Sequence, residues 1–112
     1  MAFQIRHIAR SVDRLLTYAE GRELSGHQLA SLKTESMEGA TGSELFAELR
    51  AALSDAALRV REFDSSALDK TVAVGRKQLP TTVGGLLVHV AEHTQRHVGQ
   101  AIIVLDVGVS LF

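Results

Sequence analysis

Apolar residues recur every three to four positions in three long stretches of the chain, which places them on one face of a helix in each. Ile5, Ile8, Val12, Leu15, Leu16 and Ala19 predict a helix from residue 3 to about residue 20, with Gly21 as its stop. Leu45, Phe46, Leu49, Leu53, Ala56, Val60 and Phe63 predict a second helix, opened by Thr41 and Glu44 as a capping box. Its charged residues fall opposite the stripe and it carries no histidine, so it reads as scaffold. Val83, Leu86, Leu87, Val90, Val98, Ala101 and Leu105 predict a third helix, bounded by Pro80 and capped by Thr81 or Thr82.

The connecting stretches are weaker. Ser25 to Lys33 fits a short helix with Leu29 and Leu32 packing down and His27 exposed, followed by a loop from Glu38 to Gly42. Residues 64 to 79 are polar and irregular; Val72-Ala-Val74 allows a brief extended segment but no sheet. Gly84 and Gly85 lower helix propensity by about 1 kcal/mol each, which implies that a backbone or a substrate comes close there. Past Leu105 the third helix is expected to give way at Asp106-Val-Gly108, leaving an apolar tail, Val109 to Phe112, that packs or pairs with something.

Composition narrows the class. A chain of 112 residues is one domain, 1–112, and its 46% hydrophobic content is ample for a core. The formal net charge is −1 and the basic residues are scattered, which argues against nucleic acid, since duplex binding needs a basic face. Without cysteine there is no disulfide, and any metal site must use nitrogen and oxygen ligands. No signal peptide or membrane span is evident, so the expected location is cytoplasmic.

The chemistry concentrates in His89-Val-Ala-Glu-His93-Thr-Gln-Arg-His97-Val-Gly-Gln100, where three of the five histidines stand four positions apart. Residues four apart share a helix face, and imidazoles one turn apart can converge on one metal ion. At about 100° per residue, His97 lies near the middle of the apolar stripe and His93 toward its edge, while His89 is roughly 120° away. His93 and His97 are therefore the better ligand pair and His89 a flanking residue; the bland alternative is a pair of core histidines bonded to polar neighbours. His7 lies off the stripe of its own helix, in line with Gln4, Ser11 and Tyr18, and periodicity assigns it to the boundary or the surface. His89 to His93 also fits the inverted zinc-protease pattern with Glu92 as base. That pattern needs a further ligand downstream, yet only 19 residues follow His93 and none after His97 is histidine or glutamate.

The stretch from Leu87 to Gln100 resembles the C-terminal helix of the DinB-like (YfiT-like) metal-binding proteins, whose signature there is close to H-x3-H-x3-H-x-G-Q. Arg96 occupies the place before the last histidine, and Gly99-Gln100 completes the match. Phe3-Gln-Ile-Arg-His7-Ile-Ala resembles the segment that supplies the remaining ligand in that family. The resemblance implies an all-α, up-and-down helical bundle with His7, His93 and His97 as the metal triad and His89 as a non-ligating neighbour. Family members carry a helix before the His7-type segment, whereas this sequence begins six residues ahead of His7. The three long helices are therefore expected to leave an apolar groove, covered by a second copy in a homodimer; a truncated or misassigned start is the alternative explanation of the gap.

Three neutral imidazoles around a divalent ion, zinc or nickel, leave positions open for water or substrate, as catalytic sites do. The resemblance implies transfer of an external low-molecular-weight thiol, such as bacillithiol or mycothiol, to a small-molecule substrate, isomerisation of maleylpyruvate with such a thiol, or a related hydrolysis; charge and hydropathy argue against a nucleic-acid or membrane partner. A non-catalytic metal-binding bundle and a helical dimerisation module are the alternatives. Gln100 is a candidate to hydrogen-bond a ligand histidine, and Arg96 and Arg6 to hold a substrate carboxylate or pair with surface acids.

Overall fold

A computed structural model of the chain describes residues 2–35 and 39–110. Three long helices carry the fold: α1 (Ala2–Ala19), α3 (Gly42–Arg61) and α4 (Val83–Ser110), with the short α2 (Gly26–Leu32) after α1. A single 3-10 turn (Ser65–Ala67) and a hairpin of β1 (Thr71–Val74) and β2 (Leu79–Thr82) join α3 to α4.

The local signals explain most of these bounds. Gly21, at φ +79°, ends α1, and the amides of Gly21 and Arg22 turn back onto the carbonyls of Tyr18 and Thr17. Ser25 caps α2 in a reciprocal box with Gln28. The Thr41 side chain accepts from the Glu44 amide at 3.1 Å, which is half of the box expected there. Thr82 caps α4 by accepting from the Gly85 amide at 3.0 Å.

Two expectations about elements need correction. Residues 71–82 do form a sheet, a two-stranded antiparallel hairpin in which Thr71 faces Thr82 and Ala73 faces Pro80. Its second strand, Leu-Pro-Thr-Thr, has no apolar alternation and contains the residue least suited to a ladder, so pattern reading misses it. Proline is tolerated because this strand has one neighbour only, and the turn is closed by Gly75 and Gln78, both at positive φ. The second correction concerns α4, which continues through Asp106 and Gly108 to Ser110 instead of stopping after Leu105. Residues 111–112 and the side chains of 104–110 lie outside the described residues, and with them the expected packing of the tail.

α1 is the centre of the molecule. It packs against α3 along one side and α4 along another, while α3 and α4 barely touch each other. Ile8, Val12 and Leu16 form the core between the long helices, with Leu49 and Ala56 of α3, Phe63 just beyond it, and Leu87 and Val90 of α4 against them. A second cluster, Ala19, Val72, Val83 and Leu86, fastens the hairpin to the end of α1. Gly84 allows that junction: its amide donates to the Leu68 carbonyl at 2.8 Å, and a Cβ there would stand 3.2 Å from the same oxygen.

With three long helices, the side between α3 and α4 stays open. The predicted stripe of α3 is split: Leu45 is buried, but Phe46, Leu53 and Val60 are 51%, 45% and 44% exposed. Val98 and Ile102, on the flank of α4 that carries Leu87, are likewise exposed. The charged residues of α3 do not all lie opposite the core. Arg59 reaches across to α1, donating to Asp13 at 2.6 Å, to Glu20 at 2.9 Å and to Thr17 at 3.1 Å, and Glu48 accepts from Arg6 and Arg10. No helix among the described residues is long and apolar enough to cross a membrane.

Candidate metal centre

Because α1 has neighbours on several sides, residues off its apolar stripe are also covered; Ser11 and Thr17 are 4% and 2% exposed. His7 shares that fate. The face it occupies with Ser11, which periodicity assigned to the boundary or surface, turns toward α2 and the middle of α4. There it meets His93 and His97, one turn apart on α4. The ring centroids of His97 stand 4.5 Å from those of both His7 and His93, and His7 and His93 are 5.2 Å apart. One ring nitrogen from each of the three falls within 4.8 Å of the others, a group that can hold a metal ion.

Two of the three rings are oriented by hydrogen bonds. His7 Nδ1 donates to the Glu35 carboxylate at 2.9 Å, and His97 Nδ1 donates to Gln4 Oε1 at 2.6 Å. Each bond fixes the tautomer and leaves Nε2 of that ring as the acceptor, the arrangement that ligating histidines commonly adopt; in His7 that nitrogen also lies 3.4 Å from Ser11 Oγ. Glu35 is itself buried and also takes Arg14 as an ion-pair partner. Phe3 stacks on the other face of His7, with centroids 5.1 Å apart.

His93 supplies the test of fit. Its Nδ1 is buried and has no hydrogen-bond partner among the described residues. A buried imidazole nitrogen without a partner costs free energy unless something ligates it. Burial, reinforced by the neighbouring His97 and His7, pushes the His93 pKa down to about 4. His97 is lowered as well, by burial first and then by His7 and Arg96, while Gln100 opposes this as a hydrogen-bonding neighbour. Both rings are thus neutral at physiological pH, the state a metal requires.

Beside the triad lies a cavity of about 320 Å³, between α1, α2, the hairpin turn and α4. His7, His89 and His93 form one wall, Leu15, Leu24, Leu29 and Leu32 another. This corrects the expectation for α2: Leu29 and Leu32 do not pack down but face the cavity, 43% and 38% exposed. The residue α2 buries is Gln28, which donates to Asp13 at 2.8 Å and to Thr17 at 2.9 Å. A larger cavity, about 490 Å³, lies on the far side of α2. Its lining includes His27 but none of the triad histidines, and its charged residues are held in ion pairs, Arg10 with Glu48, and Asp13 and Asp55 with Arg59 of α3.

The remaining candidates fall outside the triad. His89 is exposed on the cavity wall, its ring centroid 5.8 Å from that of His93. Arg96 is exposed and is not part of the cavity lining, and Arg6 is engaged by Glu48 at 3.2 Å. His27 is exposed on α2. The sequence reading missed Glu35 and Gln4. Gln4 could have been found, since it stands one turn before a candidate ligand; Glu35 lies in a stretch without periodicity and gives no such signal.

A sequence profile of the DinB superfamily matches residues 1–101. No curated protein and no solved structure matches the chain. With nearly the whole length covered by that profile, the chain belongs to the DinB superfamily.

Proposed function

We propose that this protein is a divalent-metal-dependent enzyme that transfers a low-molecular-weight thiol to a small electrophilic substrate. The observation that carries the reading is the meeting of His7 with His93 and His97, from opposite ends of the chain, next to a cavity. Three protein ligands leave a position open, whereas structural sites commonly close with a fourth. A divalent ion such as zinc or nickel, held by His7, His93 and His97, would lower the pKa of a bound thiol or water. The chain's own residues do the rest. Glu35 and Gln4 hold two of the ligand rings in one tautomer. The leucine wall gives the cavity an apolar side along which a substrate body can lie. His89, on the cavity wall and outside the triad, is placed to take the proton that leaves the thiol.

Metal content of the untagged protein, followed by thiol conjugation to a panel of electrophiles, tests the reading. The expected result is one divalent ion per site and thiol transfer that His93→Ala abolishes. A purified protein that takes up neither zinc nor nickel overturns it, and a metal-loaded protein inert with every thiol reduces it to metal binding. We propose in addition that a second copy covers the open side between α3 and α4, because the apolar flanks of both helices face it.

A further inference from the structure

The cavity is elongated. His7, Ser11, Arg14 and Tyr18 line it from one face of α1, and the eleven helical steps from His7 to Tyr18 span about 16 Å along the axis. The histidines mark one end. The other is set by Tyr18 and Leu15, which pack with Val74 of β1 in the cluster around Ala19. Gly75 and Arg76, the turn residues that follow Val74, close the cavity there.

The lining contains no carboxylate among the described residues, and two arginines. Arg14 is already committed, to the buried Glu35 and to Ser11 Oγ. Arg76 makes no ion pair or hydrogen bond among the described residues and sits on the cavity wall. Between the two ends stand Leu24, Leu29 and Leu32. The two leucines of α2 are exposed at positions where helix packing would have buried them, and both face the cavity.

We infer that the cavity binds an elongated molecule with an apolar body and an anionic head, and that Arg76 is the residue that selects the anion. The inference rests on the proposed function only for the assignment of the reacting end. The head lies against Arg76, the body along Leu24, Leu29 and Leu32, and the reacting group reaches the histidines. Arginine suits the task, since its planar fork pairs with a carboxylate through two bonds. The volume is at the small end of ligand cavities, which run from roughly 300 to 1,000 Å³.

The test compares 6-phenylhexanoate with 6-phenylhexanamide by calorimetry, on metal-free and on zinc-loaded protein. The acid should bind at least tenfold tighter than the amide in both forms. Arg76→Gln should bring the two within about twofold, with zinc affinity and melting temperature unchanged. Leu32→Asp should weaken both ligands. Equal affinities in the parent protein, no binding of either ligand, or an acid preference that survives Arg76→Gln would each overturn the inference. A preference seen only with zinc and indifferent to Arg76 means that the carboxylate sits on the ion, and overturns it too. Should the protein take up no metal while the Arg76-dependent preference stands, the proposed function falls and this inference remains.

Discussion

Replacing Glu35 by glutamine probes the centre without touching a ligand. The Glu35 and His7 side chains are 8% and 19% exposed, so the bond between them is little screened by solvent. Glu35→Gln keeps the shape but removes the charge that holds His7 Nδ1–H and faces Arg14. A buried hydrogen bond to a charged group contributes about 1.5–3 kcal/mol, and loss of such a partner lowers metal affinity about 10- to 100-fold. Gln4→Leu removes the neutral counterpart at His97, about 1 kcal/mol, and should weaken the metal only about fivefold. Glu48→Gln breaks pairs to Arg6 and Arg10 away from the triad and should leave affinity unchanged. Zinc competition against a chromogenic chelator measures all three, and melting of the metal-free proteins separates affinity from folding. The order Glu35 above Gln4 above Glu48 is required. A Glu35→Gln protein that melts normally and binds zinc as tightly as the parent refutes the reasoning.

Four further outcomes are expected. The folded-state pKa of His93, about 4, lies below its ordinary 6.5, so the unfolded chain takes up the proton first. The metal-free protein should therefore hold full stability above pH 6.5 and lose it progressively toward pH 4, as thermal melts across that range would show. Arg59→Met leaves Asp13 and Glu20 without their shared partner and should cost about 2 kcal/mol by urea denaturation. Gly99→Ala meets open space and should stabilise α4 by up to about 1 kcal/mol, whereas Gly84→Ala meets the Leu68 carbonyl and should forfeit that gain, giving a clear gap between their melting temperatures. With a second copy on the open side, light scattering should show a dimer for the parent protein and a monomer for Leu53→Glu; a monomeric parent overturns that proposal.

Local pattern specified the long helices and two of the three histidines of the candidate metal centre. A period of three to four in α1, α3 and the first turns of α4 is a local property, and so are the stops and caps at Gly21, Ser25 and Thr82. His93 and His97 could be paired from spacing alone, because one turn of a helix fixes their geometry whatever surrounds it. His7 was different. Its own helix said boundary or surface, and only the likeness of its segment to a family pattern tied it to the other two. What the tertiary structure decided were the quantities that depend on neighbours. It decided that α1 is covered on several sides, which turns His7 inward, and that Glu35 from an aperiodic stretch lies under His7. It decided that Leu29 and Leu32 line a cavity while Gln28 is buried, and that half the apolar stripe of α3 stays open. None of these has a local signature, because burial is set by which elements pack together and not by the residues of any one of them. The hairpin follows the same logic: its second strand exists because the first offers a ladder, and no pattern within Leu79 to Thr82 announces it.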